Sequence, residues 1–106
     1  MDKPKIVCLC GSTRFKNEFI KANQIETLRG RIVLSVGLFG HADKWKLDDE
    51  TKNKLDELHK RKIDLCDEIL VINVKGYVGE STKKEIEYAF KNEKIVRYLE
   101  PIKEAK

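Results

Sequence analysis

The run Ile69-Leu70-Val71-Ile72-Asn73-Val74 is the most apolar stretch of a chain that is otherwise 38% charged. Its length and β-branched content predict a strand buried on both faces. Such a strand needs helices above and below it, which is the setting of a parallel sheet. The residues that follow, from Val78 to Thr82, read as a glycine-containing turn and then a helix start. In open parallel sheets, ligands sit in the crevice outside the carboxyl ends of the strands. The carboxylate of Glu85 is therefore expected at that edge, across from the Cys10-Gly11-Ser12-Thr13-Arg14 turn that ends the first strand.

The rest of the chain alternates in the same manner. Residues 6–9 read as a first strand, and about 13–29 as a helix with Phe15, Phe19 and Ala22 on one stripe. Gly30 stops that helix. Residues 31–36 form a second strand, followed by a loop over 37–43. A polar helix spans about 48–65, with acidic residues in its first turn as the helix dipole favours. The buried strand covers about 68–74, a third helix about 82–92 and a last strand 94–98. Alternation of this kind predicts βαβ units with right-handed crossovers. The expected fold is α/β, a small doubly wound, flavodoxin/Rossmann-like three-layer α/β/α sandwich. It has a parallel sheet of about four strands in the order 2-1-3-4, and residues 1–106 form a single domain.

At 106 residues and 41% hydrophobic content the chain can bury a core without disulfides or a structural metal. The net charge of +4 is too small and scattered to argue by itself for a nucleic-acid groove, and no nucleic-acid polymer is expected as partner; it suits a small anionic ligand. Cys8, Cys10 and Cys66 are odd in number. They read as small buried hydrophobes of a reducing compartment, and Cys-x-Cys alone lacks further metal ligands at a sensible spacing. There is no signal-peptide pattern and no run long enough to span a membrane, so a cytoplasmic protein without membrane contact is expected.

Several residues carry two readings. Ser12 and the backbone after Gly11 suit an anion, and Arg14 a phosphate, yet a serine there also commonly caps a helix. Thr82-Lys83-Lys84-Glu85 fits a capping box, a structural alternative to catalysis by Glu85. Glu80 is a second, more exposed candidate acid, while Glu87 and Tyr88 read as surface and rim. On the middle helix, Leu55, His59, Lys62, Ile63 and Cys66 share one arc, and Asp64 lies opposite. His59 thus faces the body of the protein, where a lone histidine is more often a core residue than a site residue. Asp67 reads as a structural turn residue. Phe39 and Trp45 could stack on a base, although core or lid packing is commoner for such rings.

Taken together, three segments resemble the nucleoside 2-deoxyribosyltransferase superfamily, which includes the 2′-deoxynucleoside 5′-monophosphate N-glycosidases. They are Cys10-Gly11-Ser12-Thr13-Arg14, then Cys66-Asp67-Glu68-Ile69, and Gly79 with Lys84-Glu85-Ile86-Glu87-Tyr88-Ala89. The last matches the family's Glu-[Ile/Leu]-Gly-x-Ala signature except for Glu87 in place of glycine. The resemblance implies that Glu85 is a nucleophile and that Ser12 and Arg14 lie near the 5′ end of the ligand. Gly11, Gly79 and Ser81 are the other residues expected at the substrate. Cys8 stands where the hydrolases of the family carry tyrosine, and His59 aligns best with their aspartate, which handles the leaving base. A histidine there could protonate a purine nitrogen instead.

The expected chemistry is cleavage of the N-glycosidic bond of a 2′-deoxynucleoside or its 5′-monophosphate. It runs through a covalent glutamyl-deoxyribosyl intermediate, with water or a second base as acceptor. No cofactor or metal is expected. The partners implied are a small-molecule deoxynucleoside or deoxynucleotide and a second copy of the chain in a homodimer or larger homo-oligomer. A non-catalytic nucleotide sensor of the same fold and a protein-interaction module are the rival readings.

Overall fold

The alternation of apolar and charged segments becomes, in a computed structural model of the chain that describes residues 3–102, a four-stranded parallel sheet with three helices. In chain order the elements are β1 (Ile6–Cys10), α1 (Lys16–Leu28), β2 (Ile32–Leu34), α2 (Asp49–Leu65), β3 (Glu68–Val71), α3 (Glu80–Lys91) and β4 (Ile95–Tyr98). The strand order is β2-β1-β3-β4 and every pairing is parallel, in agreement with the order expected from the sequence. Among the described residues no helix is long and apolar enough to cross a membrane.

Side-chain alternation along β1 and β3 divides the core into two layers. Val7, Leu9, Leu70 and Ile72 meet Phe19 and Ala22 of α1 on one face. Cys8, Cys10, Ile69 and Val71 meet Ile63 of α2 and Ala89 of α3 on the other. This is a three-layer, Rossmann-like sandwich, and the central strands are buried on both faces, as the apolar run 69–74 requires.

The second strand is shorter than the expected 31–36, at Ile32–Leu34, and α3 starts two residues early, at Glu80. Two further boundaries differ for reasons visible in the hydrogen bonds. The apolar run leaves the ladder after Val71, three residues early. Buried Asn73 turns to exchange two hydrogen bonds with the Glu100 backbone, and a 3₁₀ turn, Val74–Gly76, follows. Helix α1 begins at Lys16, not at residue 13, because the Ser12 carbonyl accepts a turn hydrogen bond from the Phe15 N–H. The end of α1 is as expected. Gly30 at φ +85° closes a Schellman motif, with Gly30 N–H on the Thr27 carbonyl and Arg31 N–H on the Glu26 carbonyl. Helix α3 ends the same way, but with Glu93 in the left-handed position at φ +59°.

On the α1 face the sheet encloses two carboxylates, Glu26 and Glu68, both almost fully buried. A buried charge is tolerated only when paired and hydrogen-bonded. Arg97 of β4 supplies the pair: its Nη2 donates to Glu26 Oε1 and, at 2.7 Å, to Glu68 Oε1, with Nε adding a bond of 3.0 Å to Glu68. Arg29 and Arg31 approach the same carboxylates at 3.4–3.6 Å. One guanidinium thus ties α1 and β3 to the edge strand β4. Replacing Arg97 with methionine should cost about 3 kcal/mol, the low end for breaking a buried pair, because Arg29 and Arg31 remain. A urea midpoint unchanged from wild type would contradict this account.

Candidate active site

The strand order reverses between β1 and β3, and the loops at their carboxyl ends diverge there to opposite faces of the sheet. That point is where an open α/β sheet forms its ligand crevice. A cavity of about 560 Å³ opens at this place. Its walls come from Gly11–Thr13 after β1, the loop after β2, the inner face of α2, and the segment from Tyr77 into α3.

Gly11 is needed here for close approach rather than for an unusual backbone angle. A Cβ on it would lie 3.0 Å from Ile72 Cβ and 3.1 Å from the Ile72 carbonyl oxygen. The Ile72 N–H donates to the Cys10 carbonyl at 2.7 Å, so the two strand ends are drawn together. Ser12 does not cap α1, whose N-cap position is Phe15 without a side-chain bond. Its hydroxyl instead accepts from the Arg14 N–H and from Arg14 Nε at 3.0 Å. Arg14 stacks over the Tyr77 ring, 4.4 Å from its centroid, and so stands at the rim rather than in the lining.

Helix α3 removes one of the two readings of Glu85. Its N-cap is Gly79, so Thr82 lies within the first turn and is buried, and the capping box expected from Thr82 and Glu85 does not form. Freed from that role, the Glu85 carboxylate turns inward to the cavity, only 14% exposed. Ser81 and Gly79 line the same cavity, as does Glu80 from the exposed mouth. Glu87 is exposed, and Tyr88 donates its hydroxyl to Asp64 on the outer side of α2.

The arc expected along α2 is present: His59 and Ile63 are buried, and Asp64 faces outward. His59 Nε2 lies 3.9 Å from Glu85 Oε1, 3.4 Å from Cys10 Sγ and 3.7 Å from Cys8 Sγ. The residue is therefore part of the site, but this nitrogen is turned onto Glu85 and two sulfurs. Asp67 has the structural role expected, with its carboxylate accepting from the Ile6 N–H at 2.8 Å. Phe39 packs edge-to-face on Phe19 in the core, whereas Trp45 is exposed and lines the cavity.

The electrostatics follow from burial. Desolvation raises the Glu85 carboxyl to about 7, with His59 opposing the rise. Burial alone would lower His59, but its hydrogen bond to Cys8 and the neighbouring Glu85 lift it above the ordinary value. A hydrogen bond from Cys10, aided by His59, brings Cys8 down to about 6, while Cys10, as the donor and deeply buried, is pushed well up. The four side chains, contributed by β1, α2 and α3, thus shift one another's titration.

Sequence reasoning missed Asp56. It lies one helical turn before His59, lines the cavity, and its charge is one of the influences raising Glu85. The signal was present, since residues three apart on a helix share a face. Lys52 and Lys62 add positive charge to the same wall. No family model matches the chain, and no curated protein matches it in sequence.

Gly11→Ala should destabilise the protein by about 1–3 kcal/mol, the usual range for overpacking. Chemical denaturation would measure it, and a variant as stable as wild type would show that β1 and β3 do not need this close contact.

Proposed function

We propose that the chain cleaves the N-glycosidic bond of a 2′-deoxynucleoside, favouring the 5′-monophosphate. The observation that carries this reading is the inward carboxylate of Glu85 at the floor of the cavity, with no capping role to account for it. A carboxylate there can attack C1′ as the bond to the base breaks, forming a glutamyl-deoxyribosyl ester. Water then displaces Glu85 from C1′ with net retention. The departing base takes its proton from solvent through the open cavity, and Asp56 accepts a hydrogen bond from a base N–H. His59 acts on Glu85: its positive charge favours the carboxylate form that attacks and stabilises it again when the ester breaks. The Ser12–Arg14 pair at the rim suits a 5′-phosphate, since guanidinium and hydroxyl donors both favour such an oxyanion.

Glu85→Gln tests the reading. The variant should keep its fold and bind ligand, while release of free base from deoxynucleotides, followed by chromatography, falls by about a thousandfold or more. Near-normal turnover would remove Glu85 from the mechanism. Undiminished binding with no base released by the wild type would favour the nucleotide sensor.

The exposed Trp45 and Leu58 on the cavity wall favour a second copy of the chain as the missing cover. Light scattering at high micromolar concentration should then give a particle of at least twice 12.3 kDa. A monomer under those conditions would refute the dimer.

A further inference from the structure

Beneath the cavity, Cys8 Sγ, Cys10 Sγ and His59 Nε2 all lie within 4.8 Å of one another, and all three residues are buried. Cys8 and Cys10 project from the same face of β1, and His59 reaches them from α2, some fifty residues along the chain. A tetrahedral zinc ion with Zn–S near 2.3 Å and Zn–N near 2.05 Å separates its sulfur and nitrogen ligands by about 3.6 Å. The two S···N distances here, 3.4 and 3.7 Å, straddle that value. Glu85 Oε1 lies 3.9 Å from the same nitrogen but outside the 4.8 Å within which the other three atoms sit, so its side chain must rotate toward the sulfurs to complete a tetrahedron.

The geometry points to a binding site for a thiophilic divalent cation, zinc above all, formed by Cys8, Cys10 and His59 with Glu85 as the fourth ligand. Two thiolates balance the charge of the ion, and the thiols release their protons to solvent as it binds. Ile63, Ile69, Val71 and Ala89 provide the apolar shell that holds such ligands in place. The ion would enter through the cavity, past Glu85 and His59. Once bound, it would occupy the carboxylate and imidazole that glycosidic cleavage requires, making zinc an inhibitor of that activity. The site itself stands on geometry alone and does not depend on the glycosidase reading.

Cobalt(II) titration of the reduced full-length protein tests this without any substrate. One equivalent should produce a near-ultraviolet thiolate-to-cobalt band and intense visible bands of tetrahedral cobalt, and zinc should abolish both. Cys8→Ser and Cys10→Ser should each weaken cobalt binding by about a hundredfold or more, beyond the usual effect of losing an outer-shell partner. Cys66→Ser should leave it unchanged, because Cys66 donates to the Ile63 carbonyl at 3.0 Å and lies outside the trio. Glu85→Gln should weaken binding while retaining the thiolate band, and unchanged affinity would remove Glu85 as a ligand. Absence of the thiolate band in the wild-type protein would overturn the proposal, and this result needs no variant to fold. A band that survives both Cys8→Ser and Cys10→Ser would overturn it as well.

Discussion

The pairing of β1 with β3 is the constraint from which the remaining structure follows. These strands are buried on both faces, so helices must cover both sides of a sheet that is only four strands wide. Their carboxyl ends are held in contact by the Ile72–Cys10 hydrogen bond and by the absence of a side chain at Gly11. The chain leaves β1 towards α1 on one face and leaves β3 towards α3 on the other, which opens the crevice directly above this contact. The same pairing therefore supplies the core, the position of the cavity and its floor.

The two faces of the pair treat buried charge differently. Under α1, Glu26 and Glu68 share the guanidinium of Arg97, with two further arginines nearby, so the carboxylates are balanced and the cluster ties strands to helix. Under α2 and α3, Glu85 has one partner at 3.9 Å, and that partner is itself shared with two thiols. Burial and a single partly engaged neighbour leave this carboxylate shifted upward, where the Arg97 cluster leaves its carboxylates paired. The first cluster is closed and paired; the second is left open to the cavity.

The fold was legible because each element followed its own periodicity. The apolar run 69–74 gave the central strand, the stripe Phe15-Phe19-Ala22 gave α1, and Gly30 marked its end. Glu85 was legible as a position but not as a conformation. Thr82-Lys83-Lys84-Glu85 is a sound capping pattern, and only tertiary context, with Thr82 buried in the first turn behind Gly79, shows that the helix starts earlier. The link between Cys8, Cys10 and His59 could not be read from spacing, because β1 and α2 meet across the sheet from distant parts of the chain. Asp56 was missed for a simpler reason: its spacing placed it on the face of His59, but so did the spacings of other charged residues on α2, and the sequence did not single it out.

The central position of β1 also decides how the site behaves in time. Its backbone is bonded to β2 on one side and β3 on the other, so the strand that carries both thiols belongs to the part of the molecule that opens last. The wall above it is different. Helix α2 buries only His59 and Ile63, and the loop before it, over residues 41–46, is exposed throughout. Such segments open at lower free-energy cost than a doubly bonded strand. Amide exchange should therefore be fast along the rim and slow along the floor. The two sulfurs are thus held in register by the part of the molecule that opens last, beneath a rim that opens first.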